Sequence, residues 1–257
     1  MMRTFHRLVL MVLFGLMVHP ASAASLTVAA AADLKFAMAE VAGNFRAQHP
    51  GDSIEVIYGS SGKFFTQIVN GAPFDLYFSA DIAYPRELER KGLAAGTARP
   101  YAVGRIVLWS LKPELSGLTL QDLPRAPIAR FAIANPQHAP YGLRAREAMQ
   151  RACVWEAMQA RLVLGENIAQ TAQFVDSGAA DAGVVALSLV LSPVMQGKGA
   201  YSLIPAEWHA PLEQGYATLA RARDNHLARA FSDYMATESA RAVMRRYGFV
   251  LPGEEGK

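Results

Sequence analysis

The chain has 257 residues, with 25 lysine and arginine side chains against 22 aspartate and glutamate side chains and a formal net charge of +3. This length fits one large domain or two lobes of roughly 100 residues each. The charge balance leaves no basic stripe to neutralise nucleic-acid phosphates, so we expect no nucleic-acid partner. Cys153 is the single cysteine, which excludes an internal disulfide, and its apolar neighbours predict a buried thiol.

The first 23 residues have the pattern of an export signal. Arg3 and Arg7 give a positive start, residues 8–18 are an apolar run, and Ala21-Ser22-Ala23 has the form of a cleavage site. The run is about half of the roughly 20 residues that a membrane span needs, which disfavours the alternative of a short anchor. We expect a periplasmic protein without membrane insertion. Its mature part would have 23 basic and 22 acidic side chains in 234 residues.

After the signal, short apolar runs alternate with amphipathic patterns, which predicts an α/β fold with mainly parallel strands. In the first part, strands are predicted at 26–31, 53–58 and 76–79, followed by helices near 34–45, 64–69 and 85–91. In the second part, strands are predicted at 106–109, 131–134 and within 183–190, with helices at 140–151 and 167–175. Two further amphipathic helices are predicted at 227–234 and 239–247.

The chain has no low-complexity linker and no internal repeat. Two lobes without a linker indicate that the chain crosses between them more than once. We therefore predict one lobe from 24–103 plus 204–257 and a second lobe from 104–203.

Several predicted helices begin directly after a strand, in a short polar or glycine-rich turn. These turns are Ala30–Asp33, Tyr58–Gly62, Ala134–Gly142 and Gly165–Ile168. Each helix start presents backbone N–H groups without intrahelical partners and a positive dipole end, which favours anions. Ordinary capping explains any one such turn. Together, two starts from each lobe would surround a small anion with donors.

Ser60 and Lys63 match the S-x-x-K nucleophile motif of exported serine hydrolases, but the S-D-N and K-T-G elements of those enzymes are absent from the sequence. The same segment fails the spacing of a phosphate-binding Walker loop. His138 has no second ligand at metal-binding spacing, so we expect a surface or hydrogen-bonding histidine. The sequence indicates no cofactor, no direct metal ligand and no enzyme activity.

Seven segments together resemble the periplasmic molybdate-binding proteins of ABC transporters. They are residues 29–34, 60–62, 67–73, 78–81, 134–142, 165–168 and 246–249, of which the run from Gly71 to Asp81 is the most specific. The resemblance covers nearly the whole mature chain. It implies a two-lobed type II periplasmic binding protein fold, each lobe a mainly parallel sheet flanked by helices, with molybdate or tungstate in the interlobe cleft. It also implies an ABC importer permease as partner, and we expect a monomer.

The resemblance also implies the anion-binding residues. Ser61 supplies a hydroxyl and an N–H group, Tyr141 and Ile168 supply backbone N–H groups from the other lobe, and Asp33 occupies the first-turn position. Some relatives place a tyrosine hydroxyl on the anion from the strand that here carries Ala186, and the Tyr141 hydroxyl is the expected replacement.

Asp33 departs from the serine or asparagine that is usual in this family. Its carboxylate facing a dianion at ~4 Å costs about 1 kcal/mol per charge pair even in water. Three outcomes are open. The side chain caps its own helix at the Phe36 N–H group, or Lys35 or Lys63 neutralises it, or it accepts a proton from the ligand. We favour the first two together. The third would favour hydrogen phosphate.

Two alternatives remain at this stage. The first is a binding protein of the same fold for another oxyanion, such as phosphate or sulfate. The second is the exported serine hydrolase that uses Ser60 and Lys63.

Overall fold

The computed structural model describes residues 24–254, so the predicted export signal at 1–23 lies outside the described residues. Between residues 24 and 254, no helix has both the length and the apolar character that a membrane crossing requires.

The strands in the described residues form two five-stranded sheets. The strands are β1 (Ser25–Ala31), β2 (Ser53–Gly59), β3 (Leu76–Ser79), β4 (Arg99–Gly104), β5 (Ile106–Ser110), β6 (Phe131–Ala134), β7 (Leu162–Gly165), β8 (Ala182–Ala186), β9 (Ala200–Leu203) and β10 (Leu212–Thr218). The first sheet has the order β2-β1-β3-β10-β4 and the second has the order β7-β6-β8-β5-β9.

Both sheets have the same pairing pattern. In the first, β1 pairs in parallel with β2 and β3, and β10 is antiparallel to β3 and β4. In the second, β6 pairs in parallel with β7 and β8, and β5 is antiparallel to β8 and β9. Every strand except β10 and β5 therefore runs in the common direction of its sheet. The predicted mainly parallel α/β fold is confirmed.

Helices cover these sheets because one face of each helix is apolar. In α1, for example, the buried side chains recur at helical spacing from Ala37 to Phe45. The α-helices of the described part are α1 (Lys35–Gln48), α2 (Ser61–Val69), α3 (Ala83–Arg90), α4 (Pro140–Arg151), α5 (Trp155–Met158), α6 (Ile168–Asp176), α7 (Leu187–Val190), α8 (His226–Tyr234) and α9 (Glu238–Arg246). Strands β5, β6 and β8 are buried along their whole length, as expected for strands covered on both faces.

Within residues 24–254, the chain crosses between the sheets twice. Arg105 is the one residue between β4 and β5, and residues 204–211 join β9 to β10. The Arg105 guanidinium donates to the Gly248 carbonyl from Nε at 3.1 Å and from Nη2 at 3.0 Å, which fixes the first crossing. The exact lobe boundaries at 103/104 and 203/204 stay a prediction.

Cys153 differs from its prediction. The thiol is exposed rather than buried. Cys153 follows α4 in a left-handed backbone conformation with φ at 58°, whereas the next residue, Val154, is buried in the core. The turn therefore directs the valine inward and the cysteine outward.

Candidate functional site

Four helix starts meet at one small pocket, two from each sheet. Helix α2 begins at Ser61, α4 at Pro140 and α6 at Ile168, and a single 3-10 turn at residues 32–34 leads into α1. The residues that line the pocket are Ala31, Ala32, Asp33, Gly59, Ser60, Ser61, Ala80, Ala139, Pro140, Tyr141, Asn167 and Ile168. The structure thus brings together all four residues predicted from the sequence: Asp33, Ser61, Tyr141 and Ile168.

Strand register explains why these turns converge. Ala31 pairs with Gly59 at the ends of β1 and β2, and Ala134 pairs with Gly165 at the ends of β6 and β7. The carboxyl ends of parallel strands lie at one edge of a sheet, so the turns that follow them are neighbours. In each sheet, that edge faces the pocket.

Ser61 is held so that its hydroxyl hydrogen remains available. Its Oγ accepts a hydrogen bond from the Ala80 N–H group at 3.0 Å, and its carbonyl accepts one from the Tyr77 hydroxyl at 2.7 Å. Among the described residues, no acceptor is paired with the Ser61 hydroxyl hydrogen. Ser61 therefore lines the pocket with a hydroxyl hydrogen that can be donated to a ligand.

Asp33 lies in a buried hydrogen-bond network that sequence reasoning did not foresee. Its Oδ2 accepts from the Tyr141 hydroxyl at 3.0 Å and from Gln214 Nε2 at 2.8 Å, and Gln214 Nε2 lies 3.0 Å from the Tyr141 oxygen. The Gln214 carbonyl oxygen accepts from Tyr101 at 2.6 Å, which orients the amide. Asp33 Oδ1 is buried and has no hydrogen-bond partner in the described residues.

Burial raises the pKa of Asp33 to about 6. Hydrogen bonds from Gln214 and Tyr141, and the nearby N–H groups of its own turn, oppose this shift. The pKa of the Tyr141 hydroxyl lies well above its usual value, first because of burial and then because of the Asp33 charge. Tyr141 is therefore a neutral hydrogen-bond donor.

The two outcomes favoured for Asp33 from the sequence are wrong. Its side chain does not cap α1, because its bonds run instead to Tyr141 and Gln214. Neither lysine neutralises it. Lys63 forms an ion pair with Glu166, and the Lys35 ammonium lies over the Phe36 ring, 5.6 Å from its centroid.

Contacts across the rim hold the pocket closed. Ser60 Oγ lies 3.0 Å from His138 Nδ1 and donates to the His138 carbonyl at 2.5 Å, and the Gly62 N–H group donates to the same carbonyl at 3.0 Å. The ion pair of Lys63 with Glu166 also joins α2 to the turn before α6. His138 is thus a hydrogen-bonding residue, as predicted.

The closed pocket has a cavity volume of about 10 Å³, which is room for about one water-sized sphere. An oxyanion enters such a pocket only when the two sides separate. Apart from Asp33, the lining is neutral, and it contains no lysine or arginine side chain. In residues 24–254, no group of three or more His, Cys, Asp or Glu side chains is placed to hold a metal ion. The donors suit a small anion.

The hydrolase alternative lacks its central contact. Among the described hydrogen bonds, none joins the Ser60 hydroxyl to Lys63, whose ammonium is paired with Glu166. A lysine that is to act as a base must be free and close to the nucleophile.

Comparisons with known proteins agree with this geometry. A family model described as "Bacterial extracellular solute-binding protein" matches residues 26–250. The molybdate-binding protein ModA of Azotobacter vinelandii is 36% identical over 246 residues, which are 95% of this chain and 97% of that protein. ModA of Rhodobacter capsulatus is 34% identical over 90% of each chain.

Solved structures give the same picture. The structure of an Azotobacter vinelandii periplasmic molybdate-binding protein superposes with a TM-score of 0.83 at 32% identity, covering 88% of this chain and 99% of that one. The sulfate-binding protein SubI of Mycobacterium tuberculosis superposes with a TM-score of 0.70 at 17% identity, over 90% of this chain and 88% of that one. The second likeness shows the fold alone.

Proposed function

This chain belongs to the family of bacterial extracellular solute-binding proteins, and from this premise we propose that it captures molybdate for import by an ABC transporter. Its similarity to proteins named for molybdate binding supports the substrate. Tungstate, which has nearly the same size and charge, is expected to bind as well.

The observation that carries the proposal is the convergence of four helix starts on one small pocket. First-turn N–H groups have no intrahelical acceptor, and the positive ends of helix dipoles favour an anion. Donors from two sheets approach from opposite sides, which suits a compact tetrahedral oxyanion. A carboxylate ligand would normally be clamped by an arginine, and none lines the pocket.

We assign the contacts residue by residue. Ser61 donates its hydroxyl and its N–H group, and the turn of Asp33 donates a backbone N–H group from the same lobe. Tyr141 and Ile168 donate backbone N–H groups from the other lobe. The Tyr141 hydroxyl hydrogen is already directed to Asp33 in the closed structure, so we assign that hydroxyl to positioning Asp33 rather than to the anion.

Capture proceeds by closure of two lobes, which we place at 24–103 plus 204–257 and at 104–203. The anion first meets the turns of Asp33 and Ser61 in the open protein. Rotation about the crossings at Arg105 and 204–211 then brings the turns of Tyr141 and Ile168 onto it. The rim contacts of Ser60, Gly62 and Lys63 form in the same step.

The location and the partners follow from this assignment. Capture outside the cytoplasm agrees with the predicted export signal, and we place the protein in the periplasm as a monomer. Its macromolecular partner is the permease of the importer, which would receive the anion when the lobes open.

Titration calorimetry with molybdate, tungstate, sulfate and phosphate tests the proposal. We expect the tightest binding for molybdate and tungstate, and phosphate or sulfate as the tightest ligand would refute the substrate. Ser61→Ala should weaken molybdate binding by about tenfold or more, since it removes a hydroxyl donor to a charged ligand. The matched control is Ser177→Ala, because the exposed Ser177 hydroxyl bonds only within its own helix end and should leave affinity unchanged.

A further inference from the structure

Asp33 places a carboxyl group in a pocket whose other lining side chains are uncharged. The residue is only 1% exposed. One carboxyl oxygen, Oδ2, accepts two hydrogen bonds, while the other, Oδ1, is buried without a partner in the described residues. An unpaired buried carboxylate oxygen is costly, and one that faces an incoming dianion is more so.

The surrounding network determines which carboxyl oxygen can hold a proton. The Tyr101 hydroxyl lies 2.6 Å from the Gln214 carbonyl oxygen and 3.3 Å from the Ser79 carbonyl, and its shorter bond to Gln214 leaves the amide nitrogen directed at Asp33 and Tyr141. Because that nitrogen donates to the Tyr141 oxygen, the Tyr141 hydrogen is directed to Asp33. Oδ2 therefore accepts hydrogen bonds from both Tyr141 and Gln214, and Oδ1 is the carboxyl oxygen that can take a proton.

No positive charge is available to compensate for Asp33 within this network. The groups that face it are Tyr141 on α4, Gln214 on β10, Tyr101 on β4 and, at its backbone carbonyl, the Ser188 hydroxyl on α7 at 2.8 Å. The two tyrosines are the titratable members, and burial raises the pKa of each well above its usual value. Both therefore stay neutral.

Resting on the proposed function, we infer that Asp33 binds the oxyanion as a neutral carboxylic acid. One proton from solvent is added to Oδ1, and this O–H group donates a hydrogen bond to an anion oxygen. Each dianion is thus captured together with one proton. The protonated carboxyl is then a further donor to the anion, and no covalent bond to the anion forms or breaks.

The acid–base state of the free protein agrees with this step. In the closed geometry, burial raises the pKa of Asp33 to about 6, so even there the carboxyl is largely ionised above pH 7 before an anion binds and is close to accepting a proton. A bound dianion beside it raises that pKa further. With Oδ1 protonated, the carboxyl offers a donor to a fully deprotonated anion such as molybdate, whereas an ionised Oδ1 would accept the O–H group of hydrogen phosphate without a proton from solvent. Proton uptake therefore distinguishes capture of a fully deprotonated anion from capture of hydrogen phosphate.

Calorimetry of the full mature chain with sodium molybdate, in buffers of different ionisation enthalpy, measures the protons taken up. At pH 8 we expect close to one proton per anion for the wild type. Its affinity should fall about tenfold per pH unit between pH 7 and pH 9, because the complex holds one proton more than the free components. In Asp33→Asn, the amide donates without titrating, so proton uptake should vanish and affinity should be flat with pH. Asp75→Asn, at another buried carboxyl outside the pocket, should keep the wild-type proton uptake.

The outcomes separate this inference from the proposed function. Absence of molybdate binding at every pH refutes the function itself. Tight binding without proton uptake in the wild type, or with unchanged uptake in Asp33→Asn, leaves the function standing and refutes the role of Asp33.

Discussion

Replacement of Gly62 by alanine tests whether the protein must close to bind. Gly62 lies in the first turn of α2, and its N–H group donates to the His138 carbonyl on the opposite side of the pocket. A Cβ atom on residue 62 would lie 2.6 Å from that carbonyl oxygen, 3.1 Å from the His138 Cα atom and 3.0 Å from the Tyr84 hydroxyl. The clash with backbone exists only when the two sides are together.

The magnitude follows from the contacts that the clash removes. Overpacking costs about 1–3 kcal/mol, and the lost backbone hydrogen bond adds about 1 kcal/mol. Closure should therefore become less favourable by about 2–4 kcal/mol, which corresponds to an affinity roughly 30- to 700-fold weaker. The open fold should change little in stability, because the Tyr84 hydroxyl is the end of a side chain that can shift and because alanine favours a helix over glycine by about 1 kcal/mol.

Titration calorimetry with molybdate, together with thermal unfolding of the ligand-free protein, checks this expectation. The control is Gly43→Ala in α1, where a Cβ atom meets nothing within 4 Å, so its affinity should be unchanged. If Gly62→Ala binds within about threefold of the wild type at unchanged melting temperature, closure against His138 is not part of binding and the reasoning fails.

Three further predictions concern the rim, the buried carboxyl and the first crossing. Lys63→Gln should weaken molybdate binding by less than about fivefold in calorimetry. The ion pair of Lys63 with Glu166 is half exposed, and such pairs contribute about 0–1 kcal/mol. A hundredfold loss would show that the lysine contacts the anion. In denaturant titrations, ligand-free Asp33→Asn should be more stable than the wild type by about 3 kcal/mol above pH 6. The raised pKa of Asp33 means that the wild type loses stability as the pH rises from 4 to 6. The advantage of the variant should therefore disappear as the pH falls from 6 to 4. An advantage of the same size at pH 4 and pH 8 would contradict this assignment. Gly104→Ala should lower the melting temperature by several degrees, because a Cβ atom there would lie 2.2 Å from the Tyr141 hydroxyl oxygen; an unchanged melting temperature would contradict the packing of this network.

The sequence predicted the helix starts well because their signals are local. The turns at Gly59–Ser61 and at Pro140, and the asparagine at position 167, directly precede or open apolar helical patterns. In the structure Asn167 caps α6 by accepting from the N–H groups of Ala169 and Gln170. Local chemistry of this kind does not depend on the rest of the fold.

Strands β4, β9 and β10 were not predicted, because their sequences lack a strand pattern. Strand β10 includes a buried Gln214, and its pairing with β4 is irregular between Gln214 and Gly215. The Asp33 network was missed for a related reason. Its partners Tyr141 and Gln214 lie 108 and 181 residues away in the chain. Because the sequence shows only local neighbours, the predicted partner of Asp33 was the N–H group of the adjacent helix start.

In the proposed closure, the residues of the Asp33 network lie on different lobes. Tyr141 would move with α4, whereas Gln214 and Tyr101 would stay with Asp33 on the side of the first sheet. When the lobes separate, water replaces the Tyr141 hydroxyl beside Asp33, so the pKa of Asp33 would change with the degree of opening. An infrared or NMR signal from the Asp33 carboxyl would report the opening of the lobes without an attached label.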